Sequence, residues 1–190
     1  MSLIVLEGLD GSGKGTQTKL LAESLKGRGV PLRHVTFPDY DSPSSALVRM
    51  YLDGEFGSEP EDVNAYAAST FYAVDQMGKA PRDQWEQYLA WVEDLEYEKL
   101  GIPRPDLVLY LDMPIEVSQQ LLLQRYQGDS GKKDIHESHL EFLRACRECA
   151  RYAGERLSWK VIPCARDGKP LPVEEIHQAV LAAVEPLLLP

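Results

Sequence analysis

The stretch LIVLEGLDGSGKGTQTKL, residues 3–20, joins an apolar run to a helical pattern through a turn crowded with glycine. Leu3 to Leu6 is short, apolar and partly β-branched, which is the pattern of a buried parallel strand. From Lys14 onward Leu20, Leu21 and Leu25 recur with helical period, and the helix is expected to stop at the Gly27-Arg28-Gly29 break. A strand that turns into a helix through glycine sweeps successive N–H groups around an anion and points the positive end of the helix at it. Gly8, Gly13 and Lys14 fit G-x-x-x-x-G-K, the phosphate-cradling pattern, and Gly11 adds backbone freedom. The candidate phosphate contacts are therefore Gly8, Leu9, Asp10, Gly11, Ser12, Gly13, Lys14, Gly15, Thr16 and Gln17. Oriented donors, a helix dipole and an ammonium are what nucleotide β- and γ-phosphates require. Gly15 stands where the simplest form of the pattern has a Ser or Thr for Mg²⁺, so Thr16, one residue on, becomes the candidate metal ligand.

Composition limits what such a loop serves. With 190 residues, 44% hydrophobic and 26% charged, the chain has the size and make-up of one soluble globular domain. A formal net charge of −10 argues against a general nucleic-acid binder, since a polyanion would be tolerated only at a local basic cluster. A mononucleotide suits that cluster better. No stretch approaches the roughly 20 apolar residues of a membrane span, and no charged leader with a hydrophobic core precedes the first strand. The expected location is the cytoplasm, with no membrane partner. Cys146, Cys149 and Cys164 are too few and too unevenly spaced for a disulfide framework. Cys146 and Cys149 form a C-x-x-C within a helical stretch and read as small residues packed inward, since no second pair accompanies them.

Further along, Leu32 to Phe37 is expected to form a second strand ended by Pro38. An amphipathic helix follows through Leu47, Val48, Tyr51 and Leu52, with Ser44 or Ser45 as its cap. Glu59 to Asp75 and Asp83 to Leu100 have helical patterns, the latter with Trp85, Leu89, Val92 and Leu95 on one side. Pro105 to Pro114, PDLVLYLDMP, is the clearest strand after the first, and Ile115 to Tyr126 is the helix behind it. A polar segment over residues 127–137 leads to a helix over Ser138 to Leu157. Trp159 to Cys164 is the last strand, and Glu174 to Leu188 the closing helix. Strands alternating with helices imply an α/β chain with a parallel sheet and right-handed crossovers. No repeat or linker divides it, so a single domain over residues 1–190 is expected.

Particular residues carry a resemblance. GKGTQ is similar to the phosphate loop of nucleoside monophosphate kinases. Phe37-Pro38 with its acidic loop, Phe71 four residues before Asp75, PDLVLYLD, KKDIHE and WKVIP stand in the order of the thymidylate kinase family, which the chain resembles over most of its length. The resemblance implies a P-loop NTPase three-layer sandwich, with a parallel sheet between helices. It implies transfer of the ATP γ-phosphoryl group to dTMP, giving dTDP and ADP, with Mg²⁺ as cofactor. Catalytic roles would fall to Lys14 at the phosphates, to Asp10 between acceptor and metal, and to Arg125. The lysines Lys132 and Lys133 would ride on a lid over residues 127–137 that closes on the phosphates. Acceptor contacts would come from Phe37, Pro38 and Asp39, and Phe71 would stack on the base; helical spacing by itself also fits Phe71 as a core aromatic. The turn Ala165 to Lys169, with Cys164, Ala165 and Arg166, would meet adenine through its backbone. Asp112 would be an outer magnesium ligand or a strand-end cap. A homodimer through helices is implied as well, and no nucleic-acid partner.

The family pattern breaks at one place. Gln76 stands where family members have an Arg that grips the acceptor phosphate, and Tyr40 where an Arg often follows Phe-Pro. No apolar strand ending in Asp-Arg-Tyr or Asp-Arg-Phe lies between Asp75 and Leu107. About 30 residues, roughly one helix and one strand, are therefore expected to be missing between Asp75 and Gln76. The lost strand is the central one that the family places between Leu3–Leu6 and Leu32–Phe37. Two other readings stay open: an ATP-binding protein with an incomplete acceptor site, and a kinase for another nucleoside monophosphate.

Overall fold

The computed structural model describes residues 2–36, 45–57, 62, 81–127 and 139–188. Phe37, Pro38, Asp39, Tyr40, Phe71, Asp75, Gln76, Lys132 and Lys133 lie outside the described residues, as does nearly all of the expected helix from Glu59 to Asp75. In chain order the elements are β1 (Ile4–Glu7), α1 (Lys14–Gly27), α2 (Ala46–Leu52), α3 (Trp85–Glu93), β2 (Leu107–Asp112), α4 (Ile115–Arg125), α5 (Leu140–Arg156), β3 (Lys160–Pro163), β4 (Ala165–Arg166), β5 (Lys169–Pro170) and α6 (Val173–Val184). The chain divides into two compact units. One comprises Met1–Val35, Pro105–Gly128 and Gly154–Pro190, the other Thr36–Arg104 and Asp129–Ala153.

The first unit is built on a parallel sheet in the order β1-β2-β3. Ile4 lies opposite Leu107 and Glu7 opposite Tyr110; Leu109 lies opposite Lys160 and Asp112 opposite Pro163. β2 is the central strand, and Val108 to Leu111 are buried, as a continuous apolar run predicts for a strand covered on both faces. On one face Leu109 and Leu111 meet Leu21 and Leu25 of α1, Ile162 of β3, and Ile176, Val180 and Val184 of α6. Each such side chain contributes about 1.5–3 kcal/mol on burial, so this cluster is what holds the helices to the sheet.

In the second unit α3 buries Trp85, Tyr88, Leu89 and Val92, and α5 buries Phe142, Leu143, Cys146 and Cys149. The Trp85 and Tyr152 rings sit 5.4 Å apart, and the Tyr152 hydroxyl donates to Glu86 at 2.8 Å. Both cysteines of the C-x-x-C thus pack inward, and no group of three His, Cys, Asp or Glu among the described residues is placed to hold a metal ion. The single helix expected over Asp83–Leu100 is divided: a 3-10 turn at Arg82–Gln84 leads into α3, and a π-helical turn at Asp94–Lys99 ends it. Arg104 fixes that wider turn, donating to Glu93 at 2.8 Å with its guanidinium 4.1 Å from the Tyr97 ring centroid. No helix among the described residues is long and apolar enough to cross a membrane.

Over its described residues, 32–36, the expected strand at Leu32–Phe37 is not formed, since residues 31–36 carry no regular structure. A strand exists through its ladder, because its N–H and C=O groups need partners. Among the described residues none runs beside this segment, and β1 has a strand neighbour only in β2. Val30 and Leu32 still pack on the core, so the segment keeps its place there while lacking a ladder. Ser45 stands at the start of α2, as expected, but its side chain makes no capping bond.

Candidate nucleotide-binding site

Because the three strands are parallel, the loops that leave their C-terminal ends share one edge of the sheet, the edge at which open α/β sheets bind ligands. The loop after β1 is pressed into that edge from two sides. Gly8 has φ 153°, and a Cβ there would lie 2.9 Å from the Leu111 carbonyl oxygen. Gly11 has φ 77°, and its Cβ would lie 2.7 Å from the Ser118 carbonyl oxygen of α4. Only glycine fits between the end of β2 and α4 in these conformations. Ser12 closes the turn by donating its N–H to the Leu9 carbonyl at 3.0 Å, and the Leu9 side chain is buried. These two residues therefore shape the loop. The Ser12 hydroxyl is also buried and has no hydrogen-bond partner among the described residues.

α1 begins at Gly13 without a side-chain cap. Its first intrahelical bond runs from the Gln17 N–H to the Gly13 carbonyl at 2.9 Å, which leaves the amides of Lys14, Gly15 and Thr16 ahead of it as the donors a helix start offers to an anion. Lys14 folds back, its ammonium donating to the Gly8 carbonyl and standing 3.5 Å from the Asp10 carboxylate. That ion pair is half-exposed and so weak that a phosphate carrying more charge can take the ammonium from it. Thr16 is exposed on the same turn, and Asp10 is exposed as well. Asp112 closes β2 at the same sheet edge. These are hard oxygen donors, and among the described residues no protein cage surrounds them. The set fits Mg²⁺, which is held mainly through substrate phosphates with one or two protein oxygens.

α4 braces the loop along one stripe. Ser118 and Leu122 both lie against Gly11, and Arg125 falls on the same helix face, one turn beyond Leu122. Arg125 is exposed at the end of α4, its guanidinium 5.7 Å from the Tyr126 ring centroid.

After β3 the chain makes a hairpin: Ala165 pairs with Pro170 and Arg166 with Lys169, and Asp167 and Gly168 both have positive φ. Asp-Gly is the preferred pair for such a turn, so the sequence carried a hairpin signal that the reading of residues 165–169 as a plain turn missed. Cys164, at its base, is buried and gives its N–H to the Asp112 carbonyl at 3.1 Å. Burial, with the Asp112 carboxylate adding to it, pushes the Cys164 thiol up to about 12.

A family model described as thymidylate kinase matches residues 6–89. A probable thymidylate kinase of Thermococcus kodakarensis is 28% identical over 211 positions, covering 97% of this chain and 98% of the relative. The thymidylate kinase of Danio rerio is 24% identical over 203 positions, covering 94% of this chain and 87% of the relative. On these matches the chain is similar to thymidylate kinases over most of its length. A third relative, the Mycobacterium tuberculosis thymidylate kinase, is 27% identical over 171 positions, with 73% of this chain and 79% of the relative covered. These alignments are longer than the residues this chain brings to them. For the Thermococcus relative 97% of 190 residues is about 184, which leaves about 27 of 211 positions without a residue here. For the Mycobacterium relative 73% is about 139, which leaves about 32 of 171. That is the size of the helix and strand expected to be missing; Asp75 and Gln76, where the gap is expected, lie outside the described residues.

Of the residues expected at the site of a thymidylate kinase, the structure brings Gly8 to Thr16 together in one loop and helix start beside α4, which carries Arg125. Gln17 has to be corrected. Its side chain is 2% exposed and turns toward α6, donating to the Val173 carbonyl at 2.9 Å, and its N–H is used within the helix, so it does not face the loop.

Proposed function

We propose that this chain is a phosphotransferase that moves the γ-phosphoryl group of ATP to dTMP. The observation that carries the reading is the loop from Gly8 to Lys14. It is forced by two glycines against β2 and α4, and it opens on an uncapped helix with a loosely held ammonium. The names of relatives that align over most of the chain support dTMP as the acceptor. On this reading Gly8, Asp10, Gly11, Gly13, Lys14, Gly15 and Thr16 surround the donor phosphates. Residues 1–190 then act as one kinase domain in the cytoplasm, with a lid at about 127–137.

An oxygen of the dTMP phosphate attacks the γ-phosphorus, the bond to the β,γ-bridging oxygen breaks, and ADP leaves with that electron pair. Lys14 leaves the Gly8 carbonyl and Asp10 to follow the charge onto the β- and γ-oxygens. The amides of the first turn of α1 hold those oxygens in line. Arg125, with Lys132 and Lys133 from the lid, neutralises charge on the transferring group and excludes water. Thr16 and Asp10 would hold Mg²⁺, which would supply charge neutralisation at the donor phosphates. Phe37, Pro38, Asp39 and Phe71 would receive the acceptor, Phe71 by stacking on the thymine. A coupled ADP-release assay with dTMP, dUMP, AMP and no acceptor tests the assignment. Turnover is expected with dTMP foremost; turnover with AMP and none with dTMP would overturn it.

One observation favours a second reading. About 27–32 aligned positions are missing, and the segment at residues 31–36 has no ladder, which is what a chain that binds ATP but lacks part of its acceptor site would have. ATP binding without turnover on any monophosphate would select that reading.

A further inference from the structure

Gln17 stands where packing alone asks for an apolar side chain. It lies one turn before Leu21 on the face of α1 that carries Leu21 and Leu25 into the core. It is 2% exposed, and only its amide nitrogen is satisfied, since Oε1 has no partner among the described residues. The nitrogen donates to the Val173 carbonyl at 2.9 Å, across 156 residues of sequence. Val173 is the first residue of α6, and only Leu171 and Pro172 separate it from β5 of the hairpin. Pro170 and Pro172 stiffen that link, and the Leu171 N–H is bonded to the Cys164 carbonyl at 2.9 Å. Whatever fixes Val173 therefore fixes the hairpin.

We propose that Gln17 is a positioning residue that sets the distance between the phosphate loop and the Ala165–Pro170 hairpin, so that the two ends of one nucleotide, phosphates and base, are received at a fixed spacing. The proposal rests on the reading of the loop as an ATP site and of the hairpin as the adenine contact that the family resemblance implies. An apolar residue at this position would pack α1 on α6 but would let the helices slide, whereas one directional bond at the first turn of each fixes their axial register. The loop and the hairpin leave the same edge of the sheet, so a change in that register alters the span a bound nucleotide must bridge. A second bond lies further along the seam, Ser24 Oγ to His177 Nε2 at 2.9 Å, away from both loop and hairpin. It serves as the internal control.

The test compares binding of ATP with binding of inorganic tripolyphosphate, which has the phosphates and no base, both with magnesium and both by calorimetry on the full chain. Gln17→Met keeps the side-chain volume and removes the donor. It is expected to weaken ATP by about tenfold and leave tripolyphosphate within about twofold, since misplacement of one end penalises only the ligand that spans both. Retained tripolyphosphate binding also reports that the variant is folded. Ser24→Ala is expected to lower Tm and leave the ratio of the two affinities as in the parent chain. Equal losses of ATP and tripolyphosphate in Gln17→Met, no loss of either, or a changed ratio in Ser24→Ala would each overturn the proposal. A parent chain that binds tripolyphosphate as tightly as ATP would instead overturn the base-contact role of the hairpin, and one that binds neither would overturn the ATP-site reading; either result removes the proposal with it.

Discussion

Lys14 can be replaced without touching the core, because its ammonium rests on the Gly8 carbonyl and Asp10 and on no buried group. Lys14→Met is expected to leave Tm within about 1–2 °C and to lower kcat by about 10²–10³-fold, the cost of removing one charge aimed at the reacting phosphates. Retained turnover would sink the catalytic role. Cys164 makes a prediction about pH. Its thiol is held protonated to about 12 in the folded chain against an ordinary 9.0, so between these values the unfolded chain loses a proton that the folded chain keeps. The contribution is complete below pH 9 and is lost as pH rises toward 12. Urea unfolding from pH 8 to 11 should show a steeper fall for the parent chain than for Cys164→Ala; equal slopes would show that this thiol is not the cause. At this scale the loop was legible in the sequence, since glycine spacing and one lysine encode it directly. Gln17 was not: the pattern shows that it follows the loop, but its direction depends on α6, more than 150 residues away.

Among the elements, α1, β2, α4, α6 and the edges of β3 could be read to within a few residues, because each carries its own periodicity or its own prolines. Two elements escaped for different reasons. The π-helical turn at Asp94–Lys99 depends on Arg104 reaching back to Glu93 and Tyr97, which no local pattern records. The strand expected at Leu32–Phe37 had the right composition, but among the described residues it has no strand neighbour. The contact between loop and α4 gives a prediction at the same scale. Gly11→Ala places a Cβ 2.7 Å from the Ser118 carbonyl oxygen, an atom of helix backbone that cannot rotate away, and does so at φ 77°. The substitution is expected to cost about 1–3 kcal/mol of stability. It should also raise the Kd for ATP, since loop and helix must separate. Gly15→Ala, where an added Cβ meets nothing within 4 Å, is the matched control and should cost under about 0.5 kcal/mol. Equal melting curves for the two variants would remove α4 as the brace.

For the whole molecule the question is what the shortened chain can still do. The loop from Gly8 to Lys14, α1, α4 and the hairpin all belong to one compact unit, in which β1, β2 and β3 pair in register. With the missing segment expected between Asp75 and Gln76, donor binding is expected not to depend on it. Acceptor binding does, on the family resemblance, because the arginines that grip the acceptor phosphate belong there and Gln76 occupies the place of one of them. Two consequences separate cleanly. Residues 31–36 are exposed apart from the half-buried Leu32 and carry no ladder, so they should be the first part to open, visible as fast amide exchange at Leu32 to Thr36 while Leu109 to Leu111 stay protected. A missing guanidinium at a phosphate costs about 10²–10³-fold in turnover, while the affinity for ATP is untouched. Inserting between Asp75 and Gln76 the roughly 30 residues, about one helix and one strand, that the Mycobacterium tuberculosis relative has in excess should therefore raise Tm and slow exchange at residues 32–36. It should raise kcat/KM for dTMP by about 10²-fold with the Kd for ATP within about twofold. A gain in ATP affinity as large as the gain in turnover would show that the segment supports the donor site as well, and no gain in either would show that the parent chain already holds its acceptor by other residues.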